Sequence, residues 1–335
     1  MRRILLLMCL LPCLLLCSCA ARDPIADMAS TATDITVPAP DAAAAQPRER
    51  TATLWFRFGT EPLLAPETRM LDVSPTAPFE QTLLQALTAG PAASSTELTA
   101  LFPSGTRVLA THRQGRTLFV TLSRQIMNDF PDEPDNWAAQ AAWAGEVPLR
   151  RRLAMQALAA TATENCDVDQ VVVLVEQTER GATSLRLLES YYRAGGNTSA
   201  LAAPLTREEN ALLTAQNTLR ILLDCWQNQD WPRLYQWLAR TDASTGAPRP
   251  GYDTFAAQMA ALPALTAWEI SGGSVSADGQ SAVFAAALTR LVDGQTFNAP
   301  ATLRLHRERG IWRISLSQLT EREGDLPRES ASSAC

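Results

Sequence analysis

The sequence predicts an α+β protein with two globular modules, and three observations lead there. The chain has 335 residues, 46% of them hydrophobic, which is more than one domain of ordinary size needs and enough to bury two cores. Between residues 51 and 178, stretches with an apolar residue at every second position alternate with stretches at helical spacing. Beyond Leu265 the period becomes two and stays so to Leu316, with Asp278-Gly279, Asp293-Gly294 and Arg309-Gly310 at the turns, the pattern of an antiparallel meander that follows helices.

Charge and composition exclude several classes of function. With 29 basic against 35 acidic residues the formal charge is -6, so a nucleic-acid partner held by phosphate contacts is not expected. The chain contains no lysine, which removes Schiff-base chemistry and the P-loop lysine. His112 and His306 are the only histidines, a poor supply for a metal site or a proton relay, and no cofactor is expected.

The N-terminus reads as an export signal: Arg2 and Arg3 precede an apolar run from Ile4 to Leu16 that is too short to span a bilayer. Leu16-Cys17-Ser18-Cys19 resembles the lipobox of bacterial lipoproteins, with an aliphatic residue three before and a small residue one before the modified cysteine. Cys19 fits that pattern. Cys17 fits less well, because bulky Leu16 would occupy the cleavage position. The resemblance implies a signal peptide over 1–18, a diacylated Cys19, and a chain held at the extracytoplasmic face of the cell membrane by lipid. Loss of Arg2 and Arg3 takes the formal charge from -6 to -8, so lipid rather than a basic patch must hold the body to the membrane. Residues 19–50 are rich in Ala, Thr, Pro and Asp without periodicity and are expected to form a disordered tether, with a reach of roughly 30 Å as a flexible coil.

Structure is expected from Thr51. Leu54, Phe56 and Phe58 alternate with Thr53, Trp55 and Arg57 as a strand, and Glu67–Ser74 is a second extended candidate. Pro78 opens a helix with Phe79, Leu83, Leu84 and Leu87 on one face, stopped by Gly90-Pro91. Arg107–Thr111 and Thr117–Leu122 read as a hairpin about Gln114-Gly115. Leu149–Thr163 is a helix with Leu153, Ala157 and Ala160 on one face, and the β-branched run Gln170–Val175 suits a central strand. The expected order is ββαββαβ.

Four short segments occur in this order: Leu64-Ala65-Pro66-Glu67-Thr68-Arg69, Leu87-Thr88-Ala89-Gly90-Pro91, Phe102-Pro103-Ser104-Gly105-Thr106-Arg107-Val108-Leu109 and Phe119-Val120-Thr121-Leu122-Ser123. Together they resemble the GerMN domain of sporulation and spore-germination lipoproteins, over residues 51–178. Thr121 stands where that family usually has Asp, and Asn128–Trp143 is longer than its pattern. The motif residues that carry the resemblance are Pro66, Glu67, Thr68, Arg69, Gly90, Pro91, Pro103, Gly105, Thr106 and Ser123. It implies a small α/β sandwich that works through protein assembly in sporulation, germination or wall remodelling, with no catalytic set to transfer.

Within this module Glu67 and Arg69 share a strand face, and an ion pair at the strand end explains them more simply than a recognition pair. Asp129, Asp132, Glu133 and Asp135 lack the spacing, central Gly and terminal Glu of a Ca²⁺ loop and read as a solvated acidic turn. Trp137 and Trp143 either close a local core or form an aromatic patch for a partner.

Residues 179–204 form a connector, and a second domain is expected over 205–320. A Thr206-x-x-Glu209 capping box opens its first helix, with Leu212, Leu219, Leu222 or Leu223, and Trp226 at three-to-four spacing. Asp230 caps a second short helix, and Phe255, Met259 and Leu262 mark a third. Helices first, then a meander ending in Gly310-Ile311-Trp312-Arg313-Ile314-Ser315-Leu316, resemble the cone-shaped fold of nuclear transport factor 2 and SnoaL-like proteins. Enzymes of that fold place Asp, His or Tyr inside the cone; the corresponding candidates are Asp253, Tyr252, Tyr235, His306 and Glu269, and the phases of His306 and Glu269 point them away from the core face. Cys166 and Cys225 are read as free thiols, with a bond between them as the alternative, and 321–335 as a disordered tail. The function expected is a lipid-anchored scaffold that binds envelope proteins and performs no catalysis; the alternative is a small ligand held in the cone.

Overall fold

The apolar alternation around Leu54, Phe56 and Phe58 produces the first strand of the computed structural model, which describes residues 48–177, 183–193, 199–243 and 245–320. β1 (Arg48–Phe58) pairs antiparallel with β2 (Leu64–Val73) over its whole length. It begins three residues before Thr51, inside the expected tether. Arg48, Glu49 and Arg50 are exposed and carry no periodic signal; their pairing with Leu71, Asp72 and Val73 is what makes them strand. The other edge of β1 meets the short β3 (Leu98–Thr99) only at Arg57 and Phe58.

α1 (Phe79–Thr88) buries Leu83, Leu84 and Leu87 and stops where Gly90 adopts φ +95°, a conformation that suits glycine. β4 (Val108–Gln114) and β5 (Thr117–Leu122) form the expected hairpin, and β5 runs parallel to β6 (Gln170–Glu176). The crossover between them is α2 (Ala141–Asn165). This helix starts well before Leu149, because Pro148 interrupts the apolar pattern without ending the helix. Met155 and Ala154, Ala157, Ala159, Ala160 and Ala162 are all buried, so the stretch 153–162 of the helix is enclosed on every side rather than along one stripe. Small side chains permit that. The side chain of Asn165 accepts from Thr53 N–H at 2.9 Å and donates to the Thr53 carbonyl at 2.8 Å, and the Thr161 hydroxyl accepts from Trp55 N–H at 3.2 Å. The helix thus satisfies the edge of β1 that β3 leaves open.

β7 (Ser184–Arg186) and β8 (Leu205–Thr206) pair with opposite ends of β6. Leu205 and Thr206, expected to open the second domain, therefore complete the sheet of the first, and Leu212 lies in the first core. The Thr206/Glu209 capping box does not form. Thr214 caps α3 (Ala215–Gln227) instead, accepting from Asn217 N–H at 3.1 Å.

The second module continues through α4 (Trp231–Gln236), capped by Asp230 as expected, and α5 (Tyr252–Ala260). The meander β9 (Ala264–Val275), β10 (Ser281–Val292), β11 (Gln295–Glu308) and β12 (Ile311–Ile314) forms one antiparallel sheet in sequential order. Asp293-Gly294 and Arg309-Gly310 both have φ positive at each central residue, as tight hairpins require. β12 is shorter than expected, since Leu316 begins α6 (Leu316–Thr320). The fold is α+β, as the sequence predicts.

The two modules are joined through a shared core as well as by the connector. Phe58, Leu63 and Ala65, from the end of β1, the turn and the start of β2, are buried in the second core among Trp226, Trp237 and Phe255. Glu61 in that turn is held by Arg233 of α4, with Nε at 2.7 Å from the carboxylate, and Leu213 N–H donates to the Leu64 carbonyl at 2.7 Å. Residues described on both sides of the seam belong to one compact unit.

Candidate functional site

The motif residues of the first module form braces. Arg69 Nε donates to Glu67 at 2.9 Å, and its guanidinium reaches the carbonyl of Gly90 at 3.1 Å; the second oxygen of Glu67 accepts from Ala92 N–H at 3.0 Å. The pair thus ties β2 to the Gly90-Pro91 stop of α1. Around Gly105, at φ +82°, the Thr106 hydroxyl donates to the Pro103 carbonyl at 2.7 Å. Ser123 is wholly buried and its hydroxyl accepts from Arg107 N–H at 3.0 Å, which fixes the end of β5 to the start of β4. Pro66 and Thr68 lie on β2 between these contacts and the second module. These roles account for conformation and hold no reactive group free.

The insertion after β5 is organised by two arginines of α2. Arg150 takes Asp132 with both nitrogens, at 2.7 and 2.8 Å, and Glu146 at 2.7 Å; Arg151 takes Glu133 at 3.0 Å and Asp129 at 3.4 Å. Three of the four acidic residues in the turn are therefore held by arginine, while Asp135 is exposed. Arg150 also lies over the Trp143 ring at 5.3 Å, and Arg151 over Trp137 at 5.7 Å. Trp137 and Trp143 are half-buried and belong to neither of the two hydrophobic cores. Between and beside them Ala138, Ala139, Ala141, Ala142, Ala144 and Gly145 are exposed, a shelf of small apolar surface flanked by the two half-buried tryptophans.

Beneath the shelf sits a residue that sequence reasoning passed over. Arg57, read only as the polar phase of a strand, is 4% exposed; it grips Glu146 with both terminal nitrogens, and its Nε donates to the Glu61 carbonyl at 2.9 Å. Burial pushes the Glu146 carboxyl up, but hydrogen bonds from Arg57 and Arg150 outweigh it and hold Glu146 below the usual carboxylate range. Hydrogen bonds from Arg150 likewise hold Asp132 low. The place of Arg57 on the polar phase of β1 hid its burial from the sequence.

The candidates in the second module are not brought together. Asp253, Tyr252 and Glu269 are exposed, the Tyr235 hydroxyl donates to the Pro250 carbonyl at 2.8 Å, and His306 sits beside Glu308 at 3.1 Å on β11. The core of the second module is packed with Phe58, Trp226, Trp237, Phe255 and Trp312. Cys166 and Cys225 are free thiols; burial pushes Cys166 up to about 11 and Cys225 up to about 12. Among the described residues no group of His, Cys, Asp and Glu is placed to hold a metal ion, and no helix is long and apolar enough to cross a membrane. Cys19, the signal segment, most of the tether and the tail lie outside the described residues.

Residues 57–181 match the family model Germane, described as sporulation and spore germination. No curated protein matches the chain. Among solved structures, the tandem GerMN domains of the sporulation protein GerM from Bacillus subtilis are 14% identical over 52% of this chain, with a TM-score of 0.30. The chain spans 50% of that structure's length. A structure assigned as a lipoprotein of Clostridium perfringens is 19% identical, covering 48% of this chain and 89% of its own, with a TM-score of 0.27. An NTF2-like protein of unknown function from Shewanella oneidensis is 16% identical, covering 30% of this chain and 90% of its own, with a TM-score of 0.24.

Proposed function

We propose that this protein is a lipid-anchored scaffold at the extracytoplasmic face of the cell membrane, which assembles with envelope proteins in sporulation, germination or wall remodelling and catalyses no reaction. The observation that carries the reading is the Germane match over residues 57–181. Its motif residues here are engaged in turns and braces that shape a surface. Cys19 carries the lipid, and the Trp137–Trp143 shelf receives the partner. That shelf couples half-buried tryptophans, exposed alanines and charge that is already paired internally, the composition of an interface centre rather than its rim. The mature chain's formal charge of -8 favours a partner with a basic or mixed-charge face. The packed core of the second module supports this reading over the alternative of a small ligand held inside that module.

Cross-linking and affinity purification of the full anchored chain from whole cells tests the proposal. Trp137→Ala with Trp143→Ala should abolish co-purification of the envelope partner, while His306→Ala or Asp253→Ala should leave it intact. Retention of every partner by the double variant would overturn the shelf, and loss of function in a folded, partner-bound Asp253→Ala protein would reveal an active site.

A further inference from the structure

A cavity of about 800 Å³ opens where the two modules meet, away from the tryptophan shelf. Its walls come from β1 and β2 on one side, from the hairpin turns of the second sheet on the other, and from Thr214 and Ala215 at the start of α3. Four arginines face it: Arg207, Arg240, Arg307 and Arg309. Two are neutralised by the protein itself. Arg207 pairs with Glu164 and Glu209, and Arg240 lies 3.5 Å from Glu97.

The other two are different. Arg307 is half-buried on β11, its stem against Trp312 with the guanidinium carbon 4.8 Å from the ring centroid, and its Nε is buried with no hydrogen-bond partner. Burial draws its basicity down, and the charge of Glu164 opposes that only in part. Arg309, two residues on, is exposed in the β11–β12 turn at φ +52°. Neither guanidinium makes an ion pair among the described residues. A partly buried cation without a counter-ion is costly, and Arg309 adds a second unpaired guanidinium at the same cavity; an anion from outside would match both. The carboxylates lining the same cavity are committed: Glu67 to Arg69, Glu97 to Arg313 and Arg240, Glu164 to Arg207.

We propose that the cavity between the modules is a binding site for a small oxyanion, a carboxylate or phosphate group, received by Arg307 and Arg309 with Arg207 and Arg240 at its margin. The planar fork of a guanidinium matches either group through two parallel N–H donors, and a cavity of this size admits a molecule larger than the anion alone. Because the cavity is walled by both modules, an occupant would contact both.

The test is calorimetric titration of the detergent-solubilised full chain at low ionic strength with two probes, citrate and inorganic phosphate. Saturable one-site binding of at least one probe is expected, and the preferred probe identifies carboxylate or phosphate as the source. Arg309→Gly removes the guanidinium at a positive φ that glycine accepts without strain, and Arg307→Met keeps an apolar stem over Trp312. Each should weaken binding about tenfold or more, the scale of a lost charge-assisted hydrogen-bonded pair. Arg220→Ala, on the exposed side of α3, should leave it unchanged. Failure of the wild-type chain to bind either probe saturably would overturn the site, as would unchanged affinity in both cavity variants.

Discussion

Phe58, the last residue of β1, packs against Trp237 beside α4, with ring centroids 4.7 Å apart and planes tilted by 43°. One ring is reached through the first sheet and the other through the helices of the second module, so the two modules share a core at this contact. Phe58→Ala should lower stability by about 3–5 kcal/mol, the cost of a large aromatic lost from a closed core. The native chain should unfold in one cooperative transition over residues 48–320. Denaturant melts followed by tryptophan fluorescence and by far-UV dichroism should coincide; separated transitions would show that the modules do not depend on each other.

Gly310, in the β11–β12 turn, lies at φ +85°, and a methyl group there would come within 2.8 Å of the Pro66 carbonyl oxygen. Gly310→Ala meets both a backbone and a steric penalty and should cost about 1–3 kcal/mol. Gly294→Ala has φ +79° but open space around it, and should cost less. Equal losses in the two variants would mean that the turn does not press on Pro66.

Acid should unfold the protein through Glu146 and Asp132, both held below the usual carboxylate range by arginine. A depressed native pKa gives stability that is present above the unfolded value and lost as pH falls through the native one, so the loss should set in below about pH 4. Glu146→Gln leaves Arg57 short of its counter-ion and should cost about 1–2 kcal/mol at pH 7. That difference should shrink as the pH is lowered; a constant difference down to pH 3 would exclude the linkage.

Cys166 and Cys225 should be inert to maleimide at pH 8 in the native chain, since burial raises both thiols well above that pH. Both should react after denaturation without prior reduction. Rapid labelling of native Cys225 would contradict its burial.

Cys19→Ser should abolish incorporation of an alkyne fatty acid and release the protein from the membrane fraction, while Cys17→Ser should change neither. Label persisting on the Cys19→Ser chain would remove the anchor from the proposal.

Much of the fold was legible where the signal is local. Alternation in β1, β5 and β10, the proline and glycine punctuation of α1, the Asp230 cap and the Asp-Gly turns each depend on neighbours within a few residues, so sequence spacing carries them. The Glu67–Arg69 pair was legible for the same reason, because residues two apart share a strand face. The start of α2 was not, since its first turns are alanines interrupted by Pro148 and carry no amphipathic stripe.

The sequence by itself determined the α+β class, the order of elements from β1 to β6 apart from the two-residue β3, the motif turns and the expectation of lipidation at Cys19. Only the tertiary structure decided that Arg48–Arg50 are strand, that Leu205 pairs with Val171, that Phe58 fills the second core, and that Arg307 and Arg309 face one cavity without counter-ions. Each of these rests on contact between residues far apart in the chain. A polar strand end gains order only from its partner strand, and an arginine gains or lacks a counter-ion only when the fold has placed its neighbours; neither leaves a period in the sequence.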